Sequence, residues 1–351
     1  MSTTIKAYGT EAANDDLKPL DIIRRDVGEE DVKIDITYCG VCHSDIHTAR
    51  NEWGNSVYPV VPGHEIIGRV IEIGANVSEF KPGQLVGVGC LVDSCQTCDS
   101  CKDHLEQYCE NGWTGTYNSR DRHITGQRTY GGYSTSIVVN KKFILHIPEN
   151  LDEKSVAPLL CAGITTWSPL KHWNVQKGDK IGVVGLGGLG HMGVKFANAL
   201  GAHVVMITSS SKKANDAKSL GAHEVLISKN EDEMQKHMNT FDFILNTIPV
   251  GHDINPYIAL LKRDATMVIV GAVEPLKSFH GGGIIMGRKK IAGSLIGGIK
   301  ETQEMLDFCG KHNIVSDIEL IDMKDINRAY QRMIGSDVKY RFVIDMASLR
   351  N

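Results

Sequence analysis

The chain has 351 residues, too many for one typical core and suited to two domains. Its 42% hydrophobic and 23% charged content is that of an ordinary globular protein, and a formal charge of −4 offers no basic surface for nucleic acid or an anionic membrane. No apolar stretch is long enough to span a bilayer, and the opening MSTTIKAYGTEAANDD lacks the apolar centre of a signal peptide, so a cytoplasmic protein is expected.

Along the chain, Val32–Tyr38, Gly68–Ile73, Gln84–Gly89 and Ser134–Val139 are apolar or β-branched runs of strand length. Gly/Pro punctuation such as Val61-Pro62-Gly63 and Lys81-Pro82-Gly83 separates them, and helical periodicity is scarce. From about Asp152 the texture changes. Leu151–His172 reads as helical, and strands are then expected at Lys180–Val184, His203–Thr208, Glu224–Ile227, Asp242–Asn246, Thr266–Val270 and Ile291–Leu295, with helical stretches between them. This βαβ rhythm predicts a doubly wound parallel sheet covered by helices on both faces. The tail adds a helix at Glu301–His312, a strand at Ile318–Ile321, a helix at Asp325–Met333 and a strand at Tyr340–Asp345. The fold class is therefore α/β, a Rossmann-type domain attached to a mostly β domain.

The nine cysteines are uneven: Cys95, Cys98, Cys101 and Cys109 crowd into fifteen residues, and the odd total argues for metal or catalytic use over a disulfide framework. Four thiolates at this spacing close a tetrahedral zinc site with no open position, which serves to cross-link a loop. An iron–sulfur cluster would suit the first three spacings, but the fourth cysteine is distant and is followed by Glu110, not proline. A second set is scattered: Cys42 in Gly-Val-Cys-His-Ser-Asp, His64 and Glu65 in Pro-Gly-His-Glu, and Cys161 in Leu-Leu-Cys-Ala-Gly. Two thiolates and an imidazole would leave zinc an open fourth position, the catalytic arrangement, with Glu65 visiting it or acting from behind. Taken singly, each residue also suits a core or a turn, and spacing cannot join residues so far apart.

Lys180–Val184 runs into Gly185-Leu186-Gly187-Gly188-Leu189-Gly190, a strand followed by G-x-G-x-x-G and then an amphipathic helix. Gly185 suits the tight turn, Gly187 the approach of a pyrophosphate, and Gly190 close helix–strand packing. The second strand ends in Thr208-Ser209-Ser210-Ser211-Lys212-Lys213, where an NAD site would place Asp or Glu on the ribose. Hydroxyls and ammonium groups instead match a 2′-phosphate, hence NADP(H), unless the run is only a solvated helix cap.

The stretch Gly63-His-Glu-x2-Gly68-x5-Gly74-x2-Val77 resembles the zinc signature of medium-chain alcohol dehydrogenases. Gly-Val-Cys-His-Ser-Asp-Ile-His, Pro-Leu-Leu-Cys-Ala-Gly-Ile-Thr-Thr and Gly-Ser-Leu-Ile-Gly-Gly-Ile-Lys-Glu-Thr are similar to the cinnamyl-alcohol dehydrogenase branch. The departures are Gln84 in place of a usual aspartate and Ser44 in place of a common threonine. The resemblance implies a discontinuous GroES-like catalytic domain, 1–151 with 297–351, around a Rossmann domain, 152–296. It joins Cys42, His64 and Cys161 around a catalytic zinc, with Glu65 nearby, and makes the four-cysteine loop the second Zn2+ site. It implies a proton relay through Ser44, the nicotinamide ribose hydroxyl and His47. It adds Thr165, Thr247, Gly271, Ser294, Leu295 and Ile296 as cofactor-lining positions and Trp113, Leu91 and Ile296 as a substrate pocket. The activity implied is hydride transfer between NADP(H) and a primary alcohol or aldehyde by a homodimer or homotetramer. A polyol dehydrogenase of the same superfamily, and a thiol sensor built on Cys39 and Cys42, are the alternatives.

Overall fold

A computed structural model describes residues 3–271 and 274–350; Met1, Ser2, Ala272, Val273 and Asn351 lie outside the described residues. The chain forms two compact units, one from Met1–Cys161 with Gly297–Asn351, the other from Ala162–Ile296.

The first unit begins with β1 (Thr3–Gly9), β2 (Lys18–Arg24), β3 (Asp31–Val41), α1 (His43–Ala49), β4 (Ile66–Ile73) and β5 (Leu85–Val88). There follow β6 (Leu91–Asp93), α2 (Asp99–Lys102), β7 (Thr114–Gly115), β8 (Ser136–Asn140), β9 (Leu145–His146) and α3 (Glu153–Val156). The second unit holds α4 (Ala162–His172), β10 (Lys180–Val184), α5 (Gly190–Ala199), β11 (His203–Thr208), α6 (Ala214–Ser219) and β12 (Glu224–Ile227). It continues with α7 (Glu231–Lys236), β13 (Phe241–Asn246), α8 (Asn255–Leu260), β14 (Leu261–Ile269), α9 (Gly281–Ile285) and β15 (Lys290–Gly293). The chain then returns to the first unit with α10 (Ile299–His312), β16 (Ile318–Asp322), α11 (Ile326–Ile334) and β17 (Arg341–Asp345).

In the first unit a seven-stranded sheet runs β16-β17-β3-β4-β5-β9, with β8 also pairing to β3. β3 is its centre because Val32, Ile34, Ile36 and Cys39 are all fully buried, so both of its edges must be covered by other strands. β17 runs antiparallel to β3 with Phe342 opposite Val41, which brings the C-terminal segment beside Cys42.

The second unit is a six-stranded parallel sheet in the order β12-β11-β10-β13-β14-β15. Its central strands are near-continuous apolar runs, as burial on both faces demands: Ile181, Val183 and Val184 of β10 and Val204 to Ile207 of β11 are at most 1% exposed. Strand order reverses between β10 and β13, creating the switch point at which doubly wound sheets bind ligands beyond the carboxyl ends of their strands.

The helical reading of Leu151–His172 needs correction. α3 ends at Val156, a 3-10 turn Ala157–Leu160 carries Pro158, and Cys161 leaves helical geometry with φ −132° and ψ −68° before α4 begins. A proline lacks the N–H that would continue the α3 ladder. The break places the Cys161 thiol at the end of a turn rather than along a helix face. Among the described residues no helix is long and apolar enough to cross a membrane.

Candidate active site

Within the first unit, ligand atoms of Cys42, His64, Glu65 and Cys161 lie within 4.8 Å of one another, and all four residues are buried. Cys42 caps α1, His64 and Glu65 precede β4, and Cys161 sits at the break before α4. The Cys42 and Cys161 sulfurs are 3.9 Å apart, close to the edge of about 3.8 Å expected for two thiolates at zinc–sulfur bond length in a tetrahedron. The hydrogen bond from Cys161 holds the Cys42 thiol well below its ordinary pKa against the effect of burial. Cys161, hydrogen-bonded with Cys42 and Cys90 and buried, is pushed well above.

Three residues that sequence reasoning passed over build this site. Asp45 is fully buried and accepts from Cys42 N at 2.8 Å, Gly63 N at 3.1 Å and Tyr133 Oη at 3.2 Å, and lies 3.1 Å from His64 Nδ1. This engages one imidazole nitrogen and leaves Nε2 for a metal. Asp45 stands three residues after Cys42, the capping-box spacing, so a signal existed. Arg341 forms a buried ion pair with Glu65. Burial raises the Glu65 carboxyl to about 7, with Arg341 opposing it, and Glu65 Oε2 is buried without a hydrogen-bond partner. A Cβ on Gly40 would come within 1.9 Å of that oxygen, so glycine is needed for the carboxylate to fit. An orphaned carboxylate oxygen beside two free thiols and an oriented imidazole is a donor set that suits zinc.

Glu52 is the third. On α1, Ser44 and His47 are three positions apart and share a face. The Ser44 hydroxyl lies 3.7 Å from the Cys42 sulfur, and His47 Nδ1 bonds the carboxylate of Glu52. The His47 side chain is 13% exposed and Glu52 40%, so this pair leads from the buried site toward water.

The four-cysteine loop is compact. Cys95 and Cys101 sulfurs are 3.9 Å apart, Cys98 and Cys109 sulfurs 4.0 Å, and all four cysteines offer sulfurs within 4.8 Å of one another. Hydrogen bonds from Asn111 and the Thr97 and Cys98 amides bring the Cys95 thiol down to about 5. This set again suits zinc, closed by four sulfurs. By contrast, Cys39 and Cys42 do not form a redox pair. Cys39 is fully buried in β3 with its S–H directed to Gly40 O, and burial pushes its thiol well up, while Cys42 faces Cys161.

In the second unit the proposed nucleotide positions gather at the carboxyl ends of the parallel strands. Gly185 follows β10, Thr208 ends β11, Thr247 follows β13, Gly271 lies just beyond β14, and Ser294, Leu295 and Ile296 follow β15. Thr165 is a buried residue of α4. Gly185 has φ +93°, and a Cβ on Gly190 would lie 1.8 Å from Gly185 O, so the turn folds tightly onto the start of α5. Leu186 is buried, whereas a Cβ on Gly187 would meet nothing within 4 Å, which leaves open space for a pyrophosphate beside Gly188 and Leu189. Thr247 Oγ1 donates to Val184 O and Gly185 O and pins the turn.

In the Ser/Lys run, Ser210 Oγ accepts from Lys212 N and caps the short turn Ser211–Lys213. The helix-cap reading is thus realised at Ser210. Ser209 remains exposed, and Lys213 Nζ turns back to Leu186 O at 2.9 Å, which holds an ammonium over the glycine-rich turn. These groups fit a 2′-phosphate.

Comparison with known proteins agrees with this geometry. The alcohol dehydrogenase GroES-like domain profile matches residues 28–149, and the zinc-binding dehydrogenase profile matches residues 188–311. The chain is 56% identical to aldehyde reductase YahK of Escherichia coli K12, over 98% of this chain and 99% of that protein. It is 49% identical to NADP-dependent alcohol dehydrogenase C 1 of Mycolicibacterium smegmatis, over 99% and 100%. A cinnamyl alcohol dehydrogenase structure from Sorghum bicolor superposes with a TM-score of 0.95 at 44% identity, covering 98% of each chain. With both family domains in order and near-complete alignment to these relatives, the chain belongs to the zinc-dependent medium-chain alcohol dehydrogenases.

Proposed function

We propose that the protein is an NADP(H)-linked zinc oxidoreductase that interconverts primary alcohols and aldehydes and reduces aromatic or medium-chain aldehydes. The observation that carries this reading is the buried Cys42–His64–Cys161 donor set with an oriented imidazole and a fourth side left to Glu65 or a ligand. Zinc in that set supplies Lewis acidity to the substrate oxygen, and NADP(H) supplies or accepts the hydride. The chain's own residues handle the proton. Ser44 holds it at its hydroxyl near the metal ligands, and His47, bonded to Glu52, exchanges it with solvent. The Gly185–Gly190 turn receives the pyrophosphate, and Ser209, Ser210 and Lys213 receive the 2′-phosphate. Thr165, Thr247, Gly271 and Ser294–Ile296 line the rest of the cofactor.

The apolar side chains Leu91 and Trp113, the latter 39% exposed, favour bulky aldehydes, which gain roughly 25 cal/mol per Å² of apolar surface buried. A panel of alcohols and aldehydes with both nicotinamide cofactors tests the assignment. Clear preference for NADPH and for cinnamaldehyde-like or medium-chain aldehydes over acetaldehyde is expected. Activity confined to polyols, or none with any aldehyde, would overturn it.

We also assign the protein to the cytoplasm, where its nine free cysteines would stay reduced for metal binding. A homodimer or homotetramer is supported by β15, an edge strand of its sheet, and by the neighbouring Ile285 and Met286, 78% and 90% exposed. Light scattering on the eluting protein tests this, and a monomer would refute it.

A further inference from the structure

His64 Nδ1 has a second neighbour. Tyr117 Oη lies 3.1 Å from it, as close as Asp45 Oδ1, and the two rings sit 5.4 Å apart, tilted by 46°. We propose that Tyr117 is a positioning residue for the catalytic metal: its hydroxyl, set against His64 Nδ1 beside Asp45 Oδ1, locks the imidazole and slows loss of the metal. This rests on the assignment of Cys42, His64 and Cys161 as the catalytic zinc set.

The hydrogen-bond arithmetic favours such a role. With Nε2 on the metal, Nδ1 carries the ring's single N–H, which cannot accept a proton from the phenol. The Tyr117 oxygen therefore accepts from Nδ1–H, which it shares with Asp45 Oδ1. Asp45 is fully buried, with Oδ1 serving Gly63 N and His64 and Oδ2 serving Cys42 N and Tyr133 Oη.

Tyr117 is held from both sides. Thr116 donates its N–H to Cys90 O at 3.1 Å and its hydroxyl to Gly89 O at 2.5 Å. Asn118 donates its N–H to Thr129 O at 2.9 Å and accepts from Val57 N at 2.9 Å. With its neighbours anchored in this way, the phenol cannot easily swing away from the imidazole. The excursion that begins with the four-cysteine loop thus ends on the ligand of the other metal site.

The test is zinc release from the purified, fully loaded enzyme to a colorimetric chelator, followed in wild type, Tyr117→Phe and Tyr117→Ala. Cys42→Ser protein, lacking the catalytic site, identifies the trace of the four-cysteine zinc. Loss of a partner behind a metal ligand typically costs 10–100-fold, so Tyr117→Phe should release the catalytic zinc about tenfold faster. The four-cysteine trace and the unfolding midpoint should be unchanged. If Tyr117→Phe releases zinc at the wild-type rate, or only Tyr117→Ala is fast, the ring merely packs and the proposal is overturned. Wild-type protein binding a single zinc would instead strike the catalytic-site assignment itself.

Discussion

Arg341, at the start of β17, and Glu65, just before β4, form an ion pair that is 5% and 0% exposed at its two side chains, across 276 residues of sequence. β17 pairs antiparallel with β3, and Phe342 lies opposite Val41, so the returning C-terminal segment delivers a guanidinium behind the Cys42 site. Removing one member of a buried pair strands the other charge. Arg341→Met should therefore destabilise the protein by about 3–5 kcal/mol in urea unfolding. Adding Glu65→Gln should recover part of that loss, because the stranded charge is removed. Equal stability of wild type and Arg341→Met would show that the carboxylate is already neutral.

Metal content follows from the two donor sets. The purified enzyme should be colourless and hold about two zinc atoms per chain by elemental analysis. Cys42→Ser should lose turnover and keep its fold. Cys98→Ser should mainly lower the thermal midpoint by opening a loop cross-link. Brown protein containing iron would refute the four-cysteine assignment.

The contacts proposed for the 2′-phosphate are Ser209, Ser210 and Lys213. Hydrogen bonds to a charged group contribute roughly 1.5–3 kcal/mol each, so two partly exposed contacts should favour NADPH over NADH by about 100-fold in kcat/KM. Lys213→Ala should raise the NADPH KM with little change in kcat, as loss of uniform binding requires. Ser209→Asp should repel the 2′-phosphate and improve NADH. Wild-type indifference between the cofactors would reduce the run to a helix cap.

The proposed relay can be tested without touching a metal ligand. His47→Gln should lower kcat by about 100-fold, within the range for a lost acid–base group. Glu52→Gln should cost less, since it leaves the imidazole in place and removes only its anchor. Zinc content should be unaltered in both. A His47→Gln enzyme with wild-type kcat across the pH range would remove the relay.

Acid stability should depend on Asp31. Its side chain is 5% exposed, and Arg25 bonds both oxygens, with Nη2 at 2.8 Å from Oδ1. Burial opposes ionisation, but the Arg25 bonds and the Gly28 amide outweigh it and hold the carboxyl below its ordinary range. A carboxylate with a lowered native pKa stabilises above its unfolded value, about 3.9, and loses that contribution as pH falls through the native value. Asp31→Asn should thus cost about 1.5–3 kcal/mol at pH 7, a gap that narrows below about pH 4. A gap independent of pH would mean that packing, not charge, accounts for it.

Local pattern made much of the protein legible from its residues. The strands Lys180–Val184 and His203–Thr208 carry their burial in their own apolar composition, and the Gly185–Gly190 turn and four-cysteine loop are short-range constellations. Each depends on neighbours a few residues apart, so spacing carries the chemistry. The open metal site is different. Cys42, His64 and Cys161 are joined only by tertiary packing, and family resemblance had to stand in for geometry. Packing alone also decided that Arg341 would face Glu65, and that Tyr117 would end the cysteine loop's excursion against His64. The break at Cys161 lies between these cases, since Pro158 announces it while the helical periodicity around it hides it. A buried polar group takes whichever partner the folded chain carries to it. That choice depends on sheet register and loop path over hundreds of residues, which local sequence does not encode.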